Sequence, residues 1–222
     1  MSAIAKRALD LLLGTSALIL SAPVQAVAMT IVRITDGSPV LFKQIRPGYK
    51  GRPFTLYKLR TMRNLPNEDS TFASDAARLT HVGRVLRKLS IDELPQLWNV
   101  IRGDISLVGP RPLLMQYLDR YTPEQARRHD VKPGITGWAQ VNGRNAISWE
   151  EKFKLDTWYV DHHSLWLDLR ILALTATRVL RRQGVSQQGH VSMPEFMGSC
   201  KSTNGSEREP TNDSRARLGE HS

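Results

Sequence analysis

LLLGTSALILSAPVQAVAMTIV, residues 11–32, is a run of 22 residues with no charged side chain, preceded by Lys6, Arg7 and Asp10 and followed by Arg33. As one helix it reaches ~33 Å, the thickness of a bilayer core. Three readings compete: a cleaved signal peptide, a spanning helix, and a re-entrant segment that enters and leaves on one side. Lys6 and Arg7 imitate the basic start of a signal peptide, and Ala22 or Val24-Gln25-Ala26 a cleavage site. Asp10 interrupts that pattern, and apolar sequence continues to Val32, which places cleavage last. Cations flank both ends of the run, so charge marks neither end for export. Pro23 removes a backbone donor near the middle and predicts two half-helices, Leu11–Ala22 and Val24–Val32, with Ser21 and Gln25 beside the break to satisfy freed backbone groups. A kinked spanning helix stays open beside the re-entrant reading.

The rest of the 222 residues suits one folded domain with appendages. A hydrophobic share of 41% excludes wholesale disorder and a polytopic membrane protein. Cys200 is the sole cysteine, so neither an internal disulfide nor a cysteine zinc site is possible. The 31 Lys+Arg against 21 Asp+Glu leave +10, which draws the chain to polyanions: anionic lipid, phosphorylated substrates or nucleic acid.

Between Asp36 and Glu68 lie seven cations and no acid, and Val40–Arg46 and Phe54–Arg60 read as two strands around a turn-rich loop. Either an anion-facing hairpin or a solvated edge fits. Val82, Val85, Leu86 and Leu89 recur at helical spacing up to Ser90. Ser90 and Glu93 then match the S-x-x-E capping box of a second helix starting around Asp92 to Pro95. Carboxylates at such a start stay ionised, and beside Arg87 they suit a metal ligand or a nucleophile towards phosphorus. A plain helix cap with a surface ion pair fits the same residues. Pro110 and Pro112 fix the backbone around Arg111, as phosphate recognition or a structural bridge would require. The glycines of Lys132–Trp138 permit close approach to a ligand or simply form turns. No P-loop, dinucleotide fingerprint or H-E-x-x-H spacing is present, and no histidine is assigned to a metal. Leu165, Leu169, Leu172 and Val179 with Arg170, Arg178, Arg181 and Arg182 predict an amphipathic helix on an anionic membrane or a core helix with a basic outer face. From Gln183 onward the polar composition predicts disorder.

In order, KRALD (Lys6–Asp10), PVLFKQIRPG (Pro39–Gly48), PFTLYKLRTM (Pro53–Met62), LSIDELPQLWNVIRGDISLVGPRP (Leu89–Pro112) and KPGITGWAQVNGRN (Lys132–Asn145) closely resemble the bacterial sugar transferases, specifically the small monotopic phosphoglycosyl transferases, over residues 5–182. The resemblance implies an α+β fold with a re-entrant membrane helix broken at Pro23 (residues 1–34), a small catalytic domain of helices with a short β-hairpin and amphipathic interfacial helices (35–182), and a polar tail (183–222). It implies transfer of a sugar-1-phosphate from a UDP-sugar to undecaprenyl or another polyprenyl phosphate, with release of UMP and with Mg2+. The place implied is the cytosolic face of the bacterial inner membrane, at the first membrane step of polysaccharide or glycoconjugate synthesis. Asp92 matches the nucleophile and Glu93 its partner around the metal; Arg87, Arg111 and Arg144 match donor-binding cations, and Lys58 and Arg60 a basic anion-contacting element. Where the family often has Ser-Pro at the helix break, Ser21 here stands one residue earlier, before Ala22-Pro23. With no transmembrane helix ahead of residue 1, the large polytopic relatives are not expected.

Two other classes remain in view. A non-catalytic membrane adaptor would use the basic surface for lipid or an assembly partner, and would not need an acidic pair among arginines. A nucleic-acid binder leaves the apolar run unexplained, and the aromatics do not interleave with the cations as stacking platforms do.

Overall fold

A computed structural model describes residues 2–63, 78–143, 147–180 and 195–198. Its first element, α1, is a single α-helix, Ala3–Thr35, that runs through Pro23. The expected break into two half-helices at Ser21 and Pro23 is therefore corrected. Beside the proline, Ser21 Oγ donates to the carbonyls of Ala17 (2.6 Å) and Leu18 (3.3 Å), and Gln25 Nε2 donates to Ser21 Oγ (3.0 Å). Such back-bonding bends a helix without ending it.

One stripe of α1 is buried along its whole length, at Asp10, Gly14, Gln25, Ala28 and Val32. At its start Lys6 Nζ donates to Asp168 Oδ2 (2.6 Å) and to the Val108 carbonyl (3.1 Å), Arg7 donates to the carbonyls of Val100 and Ile101 (both 2.6 Å), and Asp10 Oδ1 accepts from Ser106 Oγ (2.9 Å) and Leu107 N (3.0 Å). Cleavage after Ala22 or Ala26 would strip all three charges from the fold. They are structural contacts rather than flanks of an apolar run. At the far end Ala28 and Val32 pack with Leu59 and Leu86. Both ends of α1 thus sit on one globular body, while Leu12, Ile19, Leu20, Val27 and Ile34 form an exposed apolar face.

Strands β1 (Leu41–Pro47) and β2 (Pro53–Leu59) make the expected antiparallel hairpin, with Arg46 opposite Phe54 and Phe42 opposite Lys58. Strand alternation puts Arg46 and Lys58 on one face and Lys43 and Tyr57 on the other. The order continues with α2 (His81–Lys88), a 3₁₀ turn at Ile91–Glu93, α3 (Gln96–Arg102) and β3 (Ser106–Val108). A 3₁₀ segment at Met115–Arg120, the single turn α4 (Pro123–Ala126) and a 3₁₀ turn at Arg127–Asp130 lead to β4 (Gly134–Thr136), which pairs parallel with β3. Helices α5 (Trp138–Asn142), α6 (Trp149–His162) and α7 (Leu165–Leu180) follow. The fold is α+β, as expected.

The main core gathers Leu97, Val100, Ile105, Val108, Tyr159 and Ile171 from α3, β3, α6 and α7. In α7 the inward stripe is Leu167 and Ile171, while Trp166 and Leu169 face outward. The tail expected to be disordered lies mostly outside the described residues. Its Glu195–Gly198 segment does not: Phe196 is buried with Leu113, Tyr117 and Phe153.

Candidate active site

The site begins where α2 passes the end of β2. Thr80 caps α2, its Oγ1 accepting from Gly83 N at 2.8 Å. A Cβ on Gly83 would lie 2.1 Å from the Thr61 carbonyl oxygen, so only glycine allows this crossing. The close approach brings Arg87 Nε to Thr61 Oγ1 (3.0 Å).

Ser90 then adopts a left-handed conformation (φ 56°, ψ 21°) and makes no side-chain cap. The capping box expected from Ser90 and Glu93 is corrected: Ser90 terminates α2, and α3 starts only at Gln96. Glu93 is drawn elsewhere. Its Oε1 accepts from Lys58 Nζ (2.8 Å) and Arg111 Nη2 (2.6 Å). Asp92 is buried in the 3₁₀ turn, and its carboxylate accepts no hydrogen bond among the described residues.

These neighbours set the two acids apart. Burial raises Asp92, the Glu93 charge adds to that, and Lys58, Arg87 and Arg111 oppose it; the outcome is a carboxyl above its ordinary range. Burial would raise Glu93 too, but the charges and hydrogen bonds of Arg111 and Lys58 outweigh it and hold that carboxyl well below its usual range. Lys58 is lowered by burial against the pull of Glu93, and Arg111 is raised chiefly by the Glu93 charge. Glu93 is therefore the fixed anion that orients two cations, and Asp92 the more basic carboxylate left without donors.

Arg111 is braced from behind. Its carbonyl accepts from Arg128 Nη2 (2.8 Å), which also binds Asp156 Oδ2 (2.7 Å) in an ion pair whose side chains are only 1% and 2% exposed. The glycines around the Arg111 loop serve backbone packing and not a ligand: a Cβ on Gly134 would lie 2.1 Å from Gly109 N, and one on Gly137 2.1 Å from the Gly109 carbonyl oxygen.

Of the expected residues, Asp92, Glu93, Lys58, Arg87 and Arg111 come together. Arg60 does not: its Nη2 donates to the carbonyls of Asp36 and Gly37, so it ties the exit of α1 to the hairpin. The structure thus places Arg60 Nη2 against backbone and away from the acids, and anion contact by Arg60 stays an expectation. Arg144 lies outside the described residues.

Two further cations belong to the neighbourhood. Burial, then the nearby Arg111 charge, lowers Arg46 to about 10. Burial also lowers Lys152 of α6 to about 8, with Arg111 and Arg128 adding to the shift and Asp156 opposing it. Arg46 stood in the sequence as one of seven cations with nothing to single it out. Lys152 sits in W-E-E-K-F-K, which reads as an ordinary charged helix start.

For a divalent ion, no cluster of three His, Cys, Asp or Glu exists among the described residues. Magnesium does not need one, since it takes one or two carboxylates and completes its shell with substrate phosphates and water. Asp92 and the free Oε2 of Glu93 fit that demand.

The profile of the bacterial sugar transferase family matches residues 1–182. The chain is 57% identical over 196 residues to the "Uncharacterized sugar transferase EpsL" of Bacillus subtilis (strain 168), covering 88% of this chain and 97% of that protein. It is 40% identical over 183 residues to the UDP-N-acetylgalactosamine-undecaprenyl-phosphate N-acetylgalactosaminephosphotransferase of Aeromonas hydrophila, covering 79% of this chain and 43% of that one. It is 39% identical over 180 residues to the UDP-glucose:undecaprenyl-phosphate glucose-1-phosphate transferase of Klebsiella pneumoniae, covering 77% and 39%. The chain thus spans about two fifths of the length of these last two relatives.

Proposed function

The chain belongs to the bacterial sugar transferase family, and on that premise we propose that it transfers a sugar-1-phosphate from a UDP-sugar to a polyprenyl phosphate at a membrane surface. The observation that carries this reading is the division of labour between adjacent acids. Glu93 is saturated by Lys58 and Arg111, whereas Asp92 is buried, raised in basicity and unbonded. A desolvated carboxylate next to cations is what attack on phosphorus requires.

An Asp92 carboxylate oxygen attacks the phosphorus that bears the sugar. The bond from that phosphorus to the bridging oxygen breaks, and UMP leaves with the electron pair. An oxygen of the polyprenyl phosphate then attacks the same phosphorus, releasing Asp92 and forming the lipid diphosphosugar. Arg87 and Arg111, the cations beside Asp92, contact the donor phosphates, Arg46 and Lys152 add positive charge next to Arg111, and Lys58 is kept in place by Glu93. Magnesium, held by Asp92 and Glu93, would supply further neutralisation of phosphate charge.

The lipid acceptor calls for a site at the bilayer. Both ends of α1 dock on the same body, which supports an anchor held at one membrane face rather than a helix that crosses the bilayer; we place that face on the cytosolic side, where a UDP-sugar donor would be met. The exposed apolar residues of α1, together with Trp166 and Leu169 of α7, are the surface that would meet lipid.

The test is trapping. Incubated with UDP-sugar and Mg2+ but no acceptor, the wild-type chain gains the mass of one phosphosugar, and Asp92→Asn gains none. Full labelling of Asp92→Asn would place the nucleophile elsewhere.

A further inference from the structure

The Glu195–Gly198 segment is bound to the domain on two sides. Phe196 is 2% exposed, with its ring centroid 4.9 Å from that of Phe153, 5.6 Å from Trp149, 5.7 Å from Tyr117 and 5.9 Å from Tyr121. Around the ring, polar contacts fix the backbone. Phe196 N donates to Tyr117 Oη (3.3 Å), and Arg120 Nη1 donates to the Phe196 carbonyl (2.5 Å) and to Glu195 Oε1 (2.7 Å). Gln116 Nε2 donates to the same Glu195 oxygen (2.6 Å).

The rings that receive Phe196 are the rings on which the cations behind the site rest. Lys152 Nζ lies 4.6 Å from the centroid of Trp149. The Arg128 guanidinium lies 5.7 Å from the Tyr121 ring and 5.6 Å from that of Phe153, and its Nη1 donates to Tyr121 Oη (3.2 Å). Arg128 in turn holds the Arg111 carbonyl. One ring therefore separates Phe196 from Lys152, and one ring plus Arg128 separates it from the backbone of Arg111.

We propose that Phe196 is a positioning residue for the donor-phosphate cations, and that the carboxyl-terminal segment acts as a wedge that completes the site when it docks. The inference rests on the reading of the site as a sugar-1-phosphate transferase centre. A core needs side chains on all sides to hold rings in one rotamer. Without Phe196 the four rings face a cavity and can turn; Lys152, which rests on Trp149, turns with them, and Arg128 keeps Asp156 but loses the fixed Tyr121 and Phe153 faces that pack it. Displacements of about 1 Å in such groups cost on the order of a hundredfold in rate or affinity. Lys152 and Arg111 are the cations assigned to the donor phosphates, so the defect is expected in donor KM.

The experiment uses full-length protein in nanodiscs with Mg2+, polyprenyl phosphate and the UDP-sugar that wild type turns over. Phe196→Ala is expected to raise donor KM about tenfold or more while acceptor KM changes less than about twofold. Phe196→Leu, which refills much of the volume, is expected to fall between the two. Arg120→Gln frees the segment without opening the core and is expected to repeat the donor defect, so the test survives if Phe196→Ala fails to fold. A peptide covering residues 193–199, added in trans, is expected to restore donor KM to Phe196→Ala. A lowered melting temperature with unchanged donor KM in both variants would make the segment purely structural and overturn the inference. Equal losses for donor and acceptor would overturn it too. Wild type that releases no UMP with any donor would overturn the reading of the site, and the inference with it.

Discussion

Replacing Lys6 by methionine tests whether the amino-terminal helix is part of the catalytic fold. Lys6 Nζ is 2.6 Å from Asp168 Oδ2, and the two side chains are 16% and 1% exposed. The same ammonium reaches the Val108 carbonyl (3.1 Å) and Tyr159 Oη (3.4 Å), and Tyr159 Oη itself donates to Asp168 Oδ1 (2.6 Å). Methionine keeps the apolar stem and deletes the charge, leaving the Asp168 carboxylate buried with Tyr159 as its remaining donor. Breaking one side of a buried pair costs about 3–5 kcal/mol. For a chain of this size that lowers the melting temperature by roughly 6–20 °C, at about 2–4 °C per kcal/mol. The assay is thermal unfolding in nanodiscs as a double-mutant cycle with Asp168→Leu. Because removing both charges leaves no orphan, the double variant should recover most of the loss. A Lys6→Met protein within about 1 kcal/mol of wild type, or a double variant worse than the sum of the singles, would refute the docking of the α1 start on the domain.

Lys152 has a pKa lowered to about 8 by burial and by Arg111 and Arg128, against Asp156. Its charge is largely present at pH 7 and lost as pH rises through about 8, so donor KM should climb between pH 7 and 9 and should flatten in Lys152→Arg; an unchanged profile in that variant would remove Lys152 from the donor site. Arg60→Gln should lower stability by about 2–3 kcal/mol, from two lost charged hydrogen bonds to backbone carbonyls, and leave donor KM within about twofold of wild type. A selective donor defect there, measured by UMP release, would return Arg60 to the site. Glu93→Gln should weaken donor binding, because Lys58 and Arg111 lose the anion that orients them, and its KM should respond more than that of Arg60→Gln.

Much of the fold was legible because its signals are local. The hairpin follows from two short alternating runs around Pro47–Gly51, and it formed within a residue of its expected ends. The S-x-x-E pattern shows where local reading fails. At Ser148 and Glu151 it forms a true capping box, while at Ser90 and Glu93 it does not, because Lys58 and Arg111, far away in sequence, outcompete the backbone for the same carboxylate. Pro23 misled for a related reason: it removes a single donor, and the stripe that packs on the domain continues past it at Gln25, Ala28 and Val32 and keeps the helix whole. The acids and the cations Lys58, Arg87 and Arg111 were singled out in the sequence, and how they pair with one another required contacts. Arg60 stands apart from the acids in the structure, and a cation on a strand end gives no hint that two carbonyls hold it. Lys152 and Phe196 were missed because their partners come from distant segments, and composition alone consigned the Glu195–Gly198 segment to a tail without structure.

Whether the sugar moves together with its phosphate is tested most directly by the identity of the released nucleotide. Purified chain in nanodiscs, given Mg2+, undecaprenyl phosphate and a panel of UDP-sugars, is predicted to release UMP with one or a few donors, only with lipid present in multiple turnover, and not in Asp92→Asn. Release of UDP in place of UMP would mean that the sugar moves without its phosphate, and Asp92 would then not be a nucleophile towards phosphorus.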